Sequence, residues 1–175
     1  MRTVTYSAAI SLDGFLAGPG ETIDWIRHSD EAAKMMVETF RDVDTMLMGR
    51  KTFEFAQRMG GAPPMRGVKT YVFSRTLLAL PEGADGELVT TDATEFVRCL
   101  KAEPGGKIFV MGGGELASAL IDAGLVDEIS FSIQPILLGA GIPAFHPMRR
   151  RIVLEFQKAR CIGSGCVVVR YLPEN

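Results

Sequence analysis

Cysteine is scarce in this chain, with three residues, Cys99, Cys161 and Cys166. An odd, small set excludes a disulfide framework and points to reduced thiols. A hairpin across Gly163-Ser164-Gly165 would set Cys161 and Cys166 opposite each other. No further Cys or His stands nearby to complete a metal site, so no metal is expected. A basic run is also missing, and the net charge is −2. The electrostatic footprint of a nucleic-acid binder is therefore absent. No apolar run approaches the length of a membrane span. The opening MRTVTYSAAISLDG lacks the charged, apolar, small-residue layout of a secretory signal. These absences lead us to expect a cytoplasmic protein with neither nucleic acid nor membrane as a partner. Repeats, linkers and low-complexity tracts are missing too, so the 175 residues are expected to form one domain spanning 1–175.

What is present is organised around Lys107 to Gly124, KIFVMGGGELASALIDAG. Ile108 to Met111 form a short apolar run, which reads as a strand buried on both faces. Gly112, Gly113 and Gly114 follow. Leu116, Ala117, Leu120, Ile121 and Ala123 then recur at helical spacing up to Gly124. Strand, glycine turn and helix together aim free backbone N–H groups and a positive dipole end at one spot. Glycines let an anion approach the main chain, which suits a phosphate or pyrophosphate. A tight turn with no ligand is the alternative reading. The consecutive glycines, placed late in the chain, do not match the dinucleotide fingerprint of a Rossmann fold.

Two more junctions share this character. Thr45 to Met48 reads as a strand running into Gly49, Arg50, Lys51 and Thr52, then a helix with Phe53, Ala56 and Met59 inward. Arg50 offers a planar fork to phosphate oxygens and Thr52 a hydroxyl. Val68 to Phe73 reads as a strand ending in Ser74 and Arg75, after a loop from Gly60 to Gly67.

Elsewhere, Thr3 to Ile10 reads as the first strand. It is followed by SLDGFLAGPG, a glycine-broken loop of the kind that closes over ligands. Ser29 with Asp30 and Glu31 suits a helix start. Ala32, Met35, Met36, Thr39, Phe40 and Val43 then share one face, expected to meet the core, with part of it lining a pocket as the other reading. Asp92 and Glu95 open another helix. Val126 to Ile133 alternates as a half-buried strand beside a Gly/Pro-rich loop, Pro135 to Phe145. Asp127 and Glu128 are expected to face solvent or a subunit contact. Ile152 to Leu154 and Val167 to Tyr171 form a closing hairpin.

Helices alternating with strands, then a strand-rich end, imply an α/β domain. We expect a mostly parallel central sheet, helices on both faces and an antiparallel C-terminal hairpin. Ligands in such sheets bind at the carboxyl ends of the strands, where all three junctions would lie.

The segments SLDGFLAGPG, MGRKTFE, YVFSRT, FVMGGGELASALIDAGLVDEI and PILLGAGIPAF, in this order, resemble the dihydrofolate reductase-like superfamily. The likeness is to stand-alone proteins similar to the C-terminal reductase domain of bifunctional riboflavin-biosynthesis enzymes, from about Thr3 to Tyr171. The resemblance implies a reductase binding NADPH in extended form. It sets Ala9 and Leu16 beside the nicotinamide and Gly49, Arg50, Lys51 and Thr52 at the pyrophosphate and adenosine ribose. It sets Ser74 and Arg75 at the 2′-phosphate and Gly112, Gly113, Gly114 and Glu115 at the pyrophosphate. It also implies a homodimer; the sequence does not show the interface, for which the β-rich C-terminal segment is a reasonable place. The acidic residue that true dihydrofolate reductases carry early in the first long helix would fall near Ala33 and Lys34. Neither is acidic, which argues against classical folate reduction. The zinc deaminase motifs H-x-E and P-C-x-x-C are absent.

Hydride transfer needs a placed donor and acceptor and a proton source. Asp13 is the candidate donor, with turn chemistry as its other reading. Asp24 and Trp25 are candidates for lining the substrate pocket, Trp25 by stacking. The favoured function is an NADPH-dependent reductase acting on a small heterocyclic or imine substrate, pyrimidine- or pteridine-like. The alternative is a non-catalytic NADP(H)- or nucleotide-binding protein.

Overall fold

In the computed structural model, residues 1–60 and 67–174 are described. The chain runs β1 (Val4–Ser11), β2 (Phe15–Ala17), α1 (Asp30–Phe40), β3 (Val43–Gly49), α2 (Arg50–Arg58), β4 (Lys69–Phe73) and β5 (Glu87–Val89). It continues with α3 (Ala93–Ala102), β6 (Lys107–Gly112), α4 (Gly114–Asp122), β7 (Glu128–Gln134), β8 (Ile142–Pro143), β9 (Leu154–Ile162) and β10 (Cys166–Pro173). Most of the loop expected from Gly60 to Gly67 lies outside the described residues.

Eight strands form one sheet in the order β5-β4-β3-β6-β1-β7-β10-β9. All neighbours are parallel except β7–β10 and β10–β9. The expected α/β architecture with an antiparallel C-terminal hairpin is thus observed. Period-two alternation decides which layer each side chain joins. Leu47, Tyr71, Phe73, Ile108 and Val110 join the larger core beneath α3 and α4. Met46, Met48 and Val72, interleaved with them, join a second cluster with Phe53 of α2 and Phe40 of α1. The two layers therefore carry different helices.

Several expectations are corrected. The first helix starts where Ser29 suggests, and Ser29 Oγ accepts from the Ala32 amide at 3.1 Å. Yet α1 buries no residue fully, and Met36 is exposed. Met35, Met36 and Val37 span about 200° of a helix at 100° per residue, wider than one face against a sheet.

Asp127 is not simply solvent-facing, because its side chain, 41% exposed, is also tied to the core. Its carboxylate accepts from the Val4 amide and from Lys101 Nζ, whose stem is buried in α3. Cys161 and Cys166 do not face each other, because Cys166 pairs with Ile162 and Cys161 with Val167. Adjacent residues of a pleated strand point to opposite faces, so one thiol is exposed and the other buried.

The glycine-broken loop after β1 is a built element. Strand β2 pairs with β8 across the Gly/Pro-rich segment. Asp13 accepts from the Leu138 and Gly139 amides, and Glu21 pairs with Arg58 of α2.

Candidate functional site

The four helices differ at their N-termini. Ser29 caps α1 and Asp92 caps α3 with side-chain oxygens. The N-cap residues of α2 and α4 are Gly49 and Gly113, which have no side chain to offer. Orphan N–H groups and the positive dipole ends of these two helices therefore remain available.

The sheet brings the two uncapped ends together. Strands β3 and β6 are neighbours, with Met48 opposite Gly112. A Cβ built on Gly49 would lie 3.4 Å from the Gly113 amide nitrogen, and one on Gly113 would lie 3.3 Å from Thr52 Oγ1. A side chain in either place would fill the gap between the helices. Gly112 has φ +136° and is joined to Gly113 by a cis peptide. Gly114 is also closely packed. A Cβ there would meet the Pro143 and Ala144 carbonyl oxygens at 2.5 and 2.9 Å.

The third junction joins from the side, since Phe73 of β4 pairs with Gly49. Ser74 is buried, and its hydroxyl accepts from the Thr76 and Leu77 amides at 3.1 and 3.0 Å. Arg75 is 87% exposed and approaches Glu115 Oε1 of α4 at 3.7 Å. Arg50 is held by the Glu54 carboxylate at 2.8 Å, and Lys51 is exposed. One rim thus carries Gly49 to Thr52, Ser74, Arg75 and Gly112 to Glu115. Ala9 and Leu16 are half-buried, Ala9 near the end of β1 and Leu16 in β2.

Asp13, the candidate donor, is engaged as an acceptor. The Ser11 hydroxyl, helped by the Gly139 and Leu138 amides, holds its carboxyl below the usual carboxylate range. Its bonds to the 138–139 backbone fit turn chemistry. Trp25 is half-buried and donates its indole N–H to the Thr22 carbonyl at 2.9 Å, while Asp24 is exposed. Tyr6 of β1 is fully buried and donates to the Ala144 carbonyl, and burial pushes its phenol up.

A groove opens between α1 and α2, on the layer of the second cluster, and part of the α1 face lines it. Its volume is about 520 Å³, and Met111 and Phe53, neighbours of Gly112 and Thr52, line it. Asp24 and Trp25 are not among its lining residues. The consecutive Met35-Met36-Val37 run was the available signal, since one sheet-facing stripe cannot absorb all three.

Comparison with known proteins gives consistent neighbours. The family profile described as RibD C-terminal domain matches residues 2–168. The protein YyaP of Bacillus subtilis is 32% identical over 97% of this chain and 94% of its own. A second Bacillus subtilis protein, YwjB, is 31% identical over 94% of each chain. Among solved structures, a Shewanella sp. PV-4 protein named for riboflavin biosynthesis superposes with TM-score 0.88 at 22% identity, over 99% of both chains. Enterococcus faecalis dihydrofolate reductase, solved with NADP(H), gives TM-score 0.70 at 16% identity, over 99% of this chain and 97% of that one. At these identities the two structures are similar in fold.

Proposed function

The chain belongs to the RibD C-terminal domain family, and from that premise we propose an NADPH-dependent reductase of small heterocyclic or imine-bearing compounds, pyrimidine- or pteridine-like. We take residues 1–175 as one domain working in the cytoplasm, as a homodimer. The observation that carries the reading is the pair of uncapped helix N-termini, α2 and α4, side by side at the carboxyl edge of the sheet. Two anion-ready termini in contact suit a diphosphate better than a single anion. A gap that a Cβ at Gly49 or Gly113 would close suits main-chain contact with that group.

In this reading NADPH, when bound, supplies a hydride. The amides after Gly49 and Gly113, with Thr52, hold its diphosphate. Arg75 and Ser74 take the 2′-phosphate, Arg75 exchanging Glu115 for the phosphate. Arg50, now paired with Glu54, would serve the diphosphate and adenosine ribose. Ala9 and Leu16 border the nicotinamide, Leu16 held by the β2–β8 pairing. The groove between α1 and α2 receives the acceptor and excludes water around it. The proton comes from solvent, since Asp13 is committed to the 138–139 backbone and Tyr6 to Ala144.

The test is NADPH oxidation followed at its absorbance band against a panel of pterins, folates and ribityl-aminopyrimidines. Oxidation with at least one pterin or pyrimidine is expected, and slow or no turnover of folate. Tight NADPH binding without oxidation across the panel would favour a non-catalytic nucleotide-binding protein.

A further inference from the structure

Helix α1 walls the groove with Met36, Val37 and Phe40, yet none of its 11 residues is buried. A helix of that length is marginal on its own in water. Its packing on the sheet is thin, so other ties must fix where it stands. Near its C-terminal end the Phe40 ring lies 4.6 Å from that of Phe109 in β6. The ties at its start are polar and come from two other elements.

Gln134 is the last residue of β7, opposite Ser11 of β1, and is 2% exposed. Its Oε1 accepts from the Arg27 amide at 3.0 Å and from the Cys166 thiol at 3.1 Å. Its Nε2 donates to Ser132 Oγ at 3.1 Å. A main-chain N–H can only donate, so Arg27 dictates which way the Gln134 amide points. One buried side chain thereby joins the lead-in of α1 to the first residue of β10. The Gly163–Gly165 turn of the same hairpin reinforces the junction. The Gly163 amide donates to Glu31 Oε2 at 2.7 Å, and Arg27 Nη1 donates to the Ser164 carbonyl at 2.9 Å. Ser164 Oγ donates to the His28 carbonyl at 3.3 Å. A Cβ on Gly163 would run into the Glu31 carboxylate and stand 2.9 Å from Ser29 Cβ. Exposed polar ties contribute little individually. An acceptor shared by two donors away from water is costly to remove.

We infer that Gln134 is a positioning residue. With the Gly163–Gly165 turn it sets where α1 stands over the groove, and it makes the α1 lead-in and the β9–β10 hairpin one unit. A displacement of the hairpin is therefore passed to the groove wall. That this wall faces a reducible acceptor rests on the reductase reading; the placement of α1 does not.

The experiment is amide hydrogen exchange of the full chain without cofactor, read by mass spectrometry. Gln134→Met keeps the side-chain length and removes the acceptor. Gly163→Ala pushes on the same junction from the hairpin. Each should speed exchange over residues 27–40 by roughly threefold or more, while β3 and β6 keep wild-type rates. Gln134→Glu, which keeps an acceptor oxygen, should lie closer to wild type than Gln134→Met. Gln157→Ala, at an exposed position of β9, should change nothing. If Gln134→Met does not fold, Gly163→Ala decides. Unchanged rates over 27–40, equal acceleration in β3 and β6, no rescue by Gln134→Glu, or the same effect from Gln157→Ala overturns the inference. A separate NADPH titration of the wild type judges the reductase reading, so the two failures are distinguishable.

Discussion

Arg75 and Glu115 meet across the mouth of the cleft, both largely exposed. An exposed pair contributes little to stability, so changing partners costs little. Replacing Arg75 with Ala should therefore weaken NADPH by roughly 10- to 100-fold, the size of a lost charged hydrogen bond. NADH should change by less than about threefold, since it lacks the 2′-phosphate that Arg75 would contact. Calorimetric titration with both cofactors checks this, and equal losses would remove Arg75 from the 2′-phosphate. Glu115→Gln should tighten NADPH by about two- to fivefold by releasing Arg75 from a surface pair. Weaker binding would assign Glu115 a direct contact instead. Asp13 gives a pH prediction. Its folded pKa is lowered, first by the Ser11 hydroxyl, so its contribution is present above the unfolded carboxylate pKa. That contribution is lost as pH falls through the folded value. Thermal midpoints of wild type should exceed those of Asp13→Asn at neutral pH, and the gap should close as pH falls through the lowered folded pKa. A constant gap would deny the carboxylate its role in holding the 138–139 turn. At this level the sequence showed which residues carry charge and hydroxyls. It did not show their present partners, because Glu54, Glu115 and the 138–139 backbone compete for them.

Local pattern exposed the helices and their ends, since a cap is read from one residue and its next three. Ser29 and Asp92 announce capped helices before any coordinates, whereas the bare Gly49 and Gly113 ends emerge only once the fold starts α2 at Arg50 and α4 at Gly114. The β2–β8 ribbon was not legible. Three and two residues are too short to carry an alternation, and its partners are distant in sequence. The three glycines looked equivalent, yet only the fold shows that Gly114 lies under the Pro143 and Ala144 carbonyls. Gly114→Ala should therefore cost about 1–3 kcal/mol through overpacking. It should also loosen NADPH, because the start of α4 must shift. Denaturant unfolding and a cofactor titration test both effects. An unchanged midpoint would mean the 143–144 segment yields freely.

The α/β class followed from alternating elements, but the strand order could not, because parallel neighbours are chosen by long-range packing. That order sets β4, β3 and β6 side by side and so turns three separate junctions into one rim. It also leaves β9 at the edge, exposed along eight of its nine residues, with Phe156 58% exposed. Long exposed edges with apolar side chains are normally covered. We expect a homodimer through this hairpin, seen as twice the chain mass by light scattering, and a monomer for Phe156→Asp. A monomeric wild type would remove the interface. The central claim is that two uncapped helix ends grip one diphosphate. A crystal structure of the protein soaked with NADPH tests it most directly. The account predicts the diphosphate between residues 49–52 and 112–114, within hydrogen-bonding distance of their amides. A dinucleotide bound elsewhere, or crystals that take up none at saturating concentration, would contradict it.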